Sequence, residues 1–211
     1  MPSPKFDLNC TLCPRLASFL EDVRTKHPDY HGRPVAPFGD KNARLLIVGL
    51  APGYHGANAS GRPFTGDYAG ILLYETLYEF GFSTAPESRS AKDGLKLLNC
   101  RITNAVKCLP PANKPVGDEI NTCNRFLQQE LAAMPENSVI IALGSIAHNS
   151  VIKALGLKQK DYAFGHCHEH DIGQATLIDS YHCSRYNTQT KRLTADMFKD
   201  VFAKAKRHLA S

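Results

Sequence analysis

A chain of 211 residues, 43% hydrophobic and 21% charged, is long enough to bury one core and has the balance of a globular protein, not a disordered or fibrous one. Its formal net charge of +5 permits a polyanionic partner without requiring one. No apolar run approaches a membrane-spanning length, and residues 1–7 carry nothing resembling an export signal, so no membrane partner and a cytoplasmic location are expected. Seven cysteines, an odd number without an export signal, argue for thiols kept for metal or catalysis, not a disulfide framework.

In chain order, Cys10 and Cys13 form a C-x-x-C pair followed by Pro14. Arg44 to Leu50 reads as a buried strand, followed by a Gly-rich loop and an apolar helix over Ala69 to Phe80 that Gly81 caps. A second strand, Arg101 to Val106, precedes a helix over Asp118 to Met134, on which Ile120, Cys123, Phe126, Leu127, Leu131 and Met134 share one stripe. Val139 to Leu143 is a third strand, with a helix after Ser145, and Ala175 to Ile178 a fourth. The last helix, from Thr194, repeats Met197, Phe198, Val201, Phe202, Ala205 and Leu209. Strands alternating with helices predict one α/β domain over 1–211, three layers α/β/α with a central four-stranded parallel sheet. In such sheets ligands bind beyond the carboxyl ends of the strands, here after Leu50, Val106, Leu143 and Ile178.

Cys108 ends the second strand and Cys123 sits on the next helix. With Cys10 and Cys13 they make a four-thiol set of the kind that binds zinc or an iron–sulfur cluster, and spacing alone leaves both open. Cys100, Cys167 and Cys183 read as packing or loop thiols. The run His166-Cys167-His168-Glu169-His170 is dense in metal donors, but alternation along an extended segment would point them to opposite faces, which favours a polar hairpin.

The loop after the first strand contains Gly49-Leu50-Ala51-Pro52-Gly53 and then Gly61-Arg62-Pro63-Phe64-Thr65-Gly66-Asp67. It has neither a Walker lysine nor the dinucleotide fingerprint. It resembles the first motif of uracil-DNA glycosylases, and among them the B-type, or family 5, enzymes. Thr103-Asn104-Ala105-Val106-Lys107-Cys108-Leu109-Pro110-Pro111 is similar to that family's second-strand motif. Ser180-Tyr181-His182-Cys183-Ser184-Arg185-Tyr186-Asn187-Thr188-Gln189-Thr190 is similar to its His-Pro-Ser loop. The matches run in the family's order from residue 10 to residue 190. The resemblance implies a 4Fe-4S cluster on Cys10, Cys13, Cys108 and Cys123, DNA as partner, and excision of uracil from duplex DNA by a monomer at the nucleoid. Deaminated purines such as hypoxanthine are implied as further substrates. Where the family has Pro after the motif histidine this chain has Cys183, so a looser loop is expected.

The same resemblance assigns roles. Phe64 would stack on the extruded base and Asn104 would read its Watson–Crick edge; otherwise the one is a core residue and the other a polar strand end. His182 would donate to the uracil carbonyl on which charge develops. Asp67 would orient or deprotonate water, or else simply cap the following helix. Asn58 is a second candidate for holding water, and backbone groups of Ala51, Gly53 and Tyr54 would contact base or water. Arg185, Tyr186 and Asn187 lie where a wedge would enter the duplex, and Lys107, Lys191 and Arg192 are candidate phosphate contacts. The rival readings are a non-catalytic DNA-damage-binding module with a structural metal, and a nucleotide-binding α/β protein.

Overall fold

The computed structural model describes residues 6–210, and its centre is a sheet whose two middle strands are buried from end to end. Four strands form the parallel core: β2 (Leu45–Gly49), β3 (Cys100–Asn104), β4 (Ser138–Leu143) and β6 (Ala175–Ser180). The sheet has six strands, not four, because β1 (Phe38–Gly39) and β5 (Glu169–Asp171) pair antiparallel with β3 and β6 at its two edges. The order is β1-β3-β2-β4-β6-β5. Both additions are too short to produce a periodic signal.

Alternation along the strands divides the core in two. Leu45, Ile47, Ile102, Ile141 and Ile178 face α3 (Tyr68–Glu79) and α7 (Ala195–Ala210). Leu46, Val48, Ile140, Ala142 and Leu177 face α4 (Gly117–Ala132) and α5 (Ser145–Ala154). The three layers follow from this period of two, since a strand apolar at every position must be covered on both sides. Phe198, Val201 and Phe202 form the buried stripe of α7, each contributing roughly 1.5–3 kcal/mol by leaving water.

A third cluster lies beside the sheet. Helix α1 (Pro14–Lys26) begins with a proline that needs no N–H partner, and buries Leu16, Leu20 and Val23 against Val106, Leu109 and Phe126. Two short α-helices, α2 (Ala57–Ser60) in the loop after β2 and α6 (Arg185–Gln189) in the loop after β6, and two 3-10 turns at Pro111–Asn113 and Gln159–Asp161 complete the described elements.

Candidate active site

Register brings the polar strand ends together. Gly49 at the end of β2 lies opposite Asn104 at the end of β3, and Leu143 of β4 opposite Ser180 of β6. Beyond that edge opens a cavity of about 270 Å³ lined by Ala51, Gly53, Phe64, Asp67, Asn104, His182 and Arg185, all singled out in the sequence. Leu50, Ala57, Tyr68, Asn113 and Ser184 also line it and were not. Tyr68 continues an apolar helical run, and Asn113 sits in a proline-bounded turn with a left-handed backbone (φ 56°), so neither offered a separate signal.

The floor is built on missing side chains. A Cβ on Gly49 would stand 2.5 Å from Asn104 Oδ1 and 2.7 Å from the Phe64 ring, so both lie against bare backbone. Phe64 is buried with φ 56°, a costly conformation for an aromatic residue that its surroundings hold in place. The His182 ring stacks towards it, with centroids 6.0 Å apart. Asn104 Oδ1 and His182 Nδ1 are buried without a protein partner among the described residues. Each such atom costs about 1–3 kcal/mol unless something pairs with it, and two at one cavity mark where a polar ligand would bind. Burial draws the His182 imidazole down to about 4, so at neutral pH it offers a single N–H.

Asp67 precedes α3, yet its side chain does not cap that helix. The carboxylate turns to the preceding loop, where Oδ2 accepts from the Ala57 N–H at 3.0 Å at the start of α2. A Cβ on Gly53 would come within 2.3 Å of Oδ1, and one on Gly56 within 1.9 Å. The loop is therefore glycine where the acid lies. Burial raises the Asp67 pKa, and the Ala57 hydrogen bond opposes that rise in part, leaving a carboxylate more basic than usual beside the cavity.

The loop carrying His182 is pinned from two sides. Asn187 Nδ2 donates to the His182 carbonyl at 2.8 Å, and Ser184 caps α6 by accepting from the Asn187 N–H. Cys183 is wholly buried in the core beneath α3 and α7, so the looser loop expected without proline is countered by an anchored side chain. Arg185 is exposed, with its guanidinium 5.7 Å from the Tyr68 ring centroid, and Tyr186 is 70% exposed.

Four free thiols, Cys10, Cys13, Cys108 and Cys123, line one small cleft with Leu12, Leu16 and Phe126. Burial pushes the Cys108 thiol up, and Cys123, Cys10 and Cys13 add to that push, as neighbouring charges of one sign must. A set of soft donors in an apolar shell, with the Lys107 N–H donating to Cys123 Sγ at 3.3 Å, suits a thiolate-bound metal centre.

Several predicted contacts take other places. Lys107 is not a surface phosphate contact: it is buried, paired with Glu130 at 2.7 Å and bonded to the Asn104 carbonyl at 2.9 Å. Asn58 is buried outside the cavity lining, with Nδ2 turned to the Tyr54 carbonyl. The Tyr54 ring packs among Phe19, His27, Tyr30 and His55. Asn187 braces the His182 loop with its amide instead of extending to solvent. Lys191 and Arg192 are exposed, Arg192 lying over Tyr181. In the histidine-rich hairpin Glu169 faces Lys204 and His208, while His170 turns inward to Asp179 at 3.0 Å. His148 donates to Asp179 at 2.7 Å and to the Tyr162 carbonyl at 2.9 Å. Both partners are acceptors, so the network closes on a protonated His148; burial opposes the charge, but Asp179 outweighs it and the pKa is raised.

The Uracil DNA glycosylase superfamily model matches residues 36–206. The chain belongs to this superfamily. A Type-5 uracil-DNA glycosylase of Thermus thermophilus is 45% identical over 204 residues, covering 94% of this chain and 93% of that protein. One of Pyrobaculum aerophilum is 41% identical over 202 residues, covering 94% and 88%. The crystal structure of wild-type Pedobacter heparinus SMUG2 shares the fold at 14% identity, with a TM-score of 0.51 over 94% of this chain and 85% of that one. The superfamily match begins after α1, so Cys10 and Cys13 lie outside it and Cys108 and Cys123 inside.

Proposed function

We propose that this chain excises uracil from DNA by hydrolysing its N-glycosidic bond, leaving an abasic site as the first step of base-excision repair. The observation that carries the reading is the convergence of an unpaired Asn104 amide oxygen, an unpaired His182 ring nitrogen and the Asp67 carboxylate on one cavity at the strand ends. A base in duplex DNA reaches such a cavity only when extruded. Phe64 then offers its ring for stacking and Asn104 pairs with the Watson–Crick edge. Asp67 takes a proton from water as that water attacks C1′ of the sugar. The electron pair of the C1′–N1 bond leaves with the base, and the neutral His182 N–H donates to the carbonyl oxygen on which its charge collects. A neutral donor suits this step, since it stabilises developing charge without carrying a buried charge beforehand.

The substrate is taken to be duplex, because exposed Arg185 lines the cavity and exposed Tyr186 follows it, where a wedge would fill the vacated stack. Action as a monomer at the nucleoid belongs to the same reading. The four thiols would hold a 4Fe-4S cluster, which when bound would supply metal–thiolate bonds tying the segment before α1 to the loop after β3 and to α4.

A labelled duplex with one uracil, incubated with pure protein and then alkali, tests the activity. Strand breakage at the uracil is expected. None, from folded and iron-loaded protein, would overturn the proposal. A parallel duplex with hypoxanthine reads how far acceptance extends to deaminated purines. Broad visible absorbance with about four irons per chain would support the cluster, and stoichiometric zinc without it would replace that assignment.

A further inference from the structure

Lys107 is a long cationic side chain with almost no contact with water. Its ammonium is held by Glu130 at 2.7 Å and donates to the Asn104 carbonyl at 2.9 Å and to the Thr103 hydroxyl. Its backbone N–H donates to Cys123 Sγ, and the next residue is Cys108. One residue thus binds the main chain of the base-reading asparagine with its side chain and a thiol of the metal-type cleft with its amide. A buried ammonium–carboxylate pair is rarely worth its desolvation as a source of stability, so its presence here points to another role.

We propose that Lys107 is a positioning residue that couples the four-thiol site to base recognition: the seated thiols fix residues 107 and 108, and the ammonium carries that constraint back to Asn104. This rests on the uracil-excising reading for its kinetic consequence, though not for its structural one. Asn104 acts by binding, so loosening it should weaken substrate affinity more than it slows bond cleavage. A general loss of folded protein would lower kcat and leave KM in place.

Because removing Lys107 alone strands the Glu130 carboxylate, the test variant is Lys107→Met combined with Glu130→Gln, which keeps the bulk and the N–H to Cys123. Its KM for a uracil duplex should rise about tenfold with kcat changed less than about threefold, at unchanged iron content and visible spectrum. Hydrogen exchange over residues 103–106 supplies a readout independent of activity. Chelating the metal from the wild type should speed exchange there, and the metal-loaded variant should already show that speed. Wild-type KM together with wild-type protection in the loaded variant would overturn the proposal. Lys107→Arg is the fallback if the double variant does not fold: it keeps the charge opposite Glu130 but displaces the donor from Asn104, so KM should rise in the same way. A wild type that releases no uracil would sink the earlier reading alone, and the exchange measurement would still decide this one.

Discussion

Gly53 is the position at which a single methyl group tests the role proposed for Asp67. The three atoms nearest to a Cβ built there all belong to the Asp67 carboxyl group, the closest 2.3 Å away. That group is the end of a flexible side chain, so Gly53→Ala would displace it instead of unfolding the loop. The single-turnover rate on a uracil duplex should fall roughly tenfold to a hundredfold, with the melting temperature nearly unchanged. Asp67→Asn keeps the shape and removes the base; its rate should fall by roughly 10²–10⁴. An unchanged rate would leave Asp67 as a loop brace that holds the Ala57 N–H. Since burial raises the Asp67 pKa, wild-type turnover should decline on acidification at a pH above the ordinary carboxyl value of 3.8, and that limb should be absent from the residual activity of Asp67→Asn. Sequence placed Asp67 before a helix and could not separate a cap from a catalyst. What takes the Asp67 side chain off the cap of α3 is the Ala57 N–H, ten residues back, brought near by a loop whose path depends on bare glycines.

Helix α1 shows how an element can be tied down twice. Its buried Leu16, Leu20 and Val23 pack on Val106, Leu109 and Phe126, and Arg15 grips Glu119 of α4 with two hydrogen bonds. The thiols of Cys10 and Cys13 precede it directly. Apolar packing of this size holds a helix in place without metal, so removing the metal proposed for the four thiols should loosen the segment and not dissolve the fold. After chelation, hydrogen exchange should accelerate over residues 10–16 while β4, at the centre of the sheet, stays protected. Equal acceleration in β4 would make the metal a requirement of the whole domain. The four cysteines were legible by spacing, whereas α1 was not read as a helix: its three apolar positions lie among charged residues, and Pro14 reads as a breaker until it is seen at the first turn. Lys107 was misread for a related reason, because a cation near strand-end loops belongs by default to the surface, and only the facing Glu130 makes its burial tolerable.

At the scale of the molecule, a parallel sheet covered on both faces was readable from apolar strand runs alternating with helices, and the site then had to lie at the carboxyl ends of the strands; the order β3, β2, β4, β6 emerges only from the pairing. Of the edge strands, β5 was readable only as a polar hairpin around residues 166–170 and β1 not at all, since its two residues carry no local pattern and are set by pairing across the sheet. Two histidines, buried His148 and partly buried His182, bend the stability of the whole fold in opposite directions with pH. His148 has a raised pKa, so its contribution is complete below the unfolded value of 6.5 and is lost as pH climbs through the folded one. His182 has a pKa of about 4, so the unfolded chain takes up a proton at this residue below 6.5 while the folded chain refuses it until about 4. Its contribution is therefore complete above 6.5 and falls across the window from 6.5 to 4. Melting temperature measured against pH should decline through that acid window, and His182→Asn, which has no proton to bind, should decline less steeply between 6.5 and 4. Parallel slopes for the two proteins would mean that His182 is hydrated in the folded state, and the neutral donor proposed for base release would lose its support.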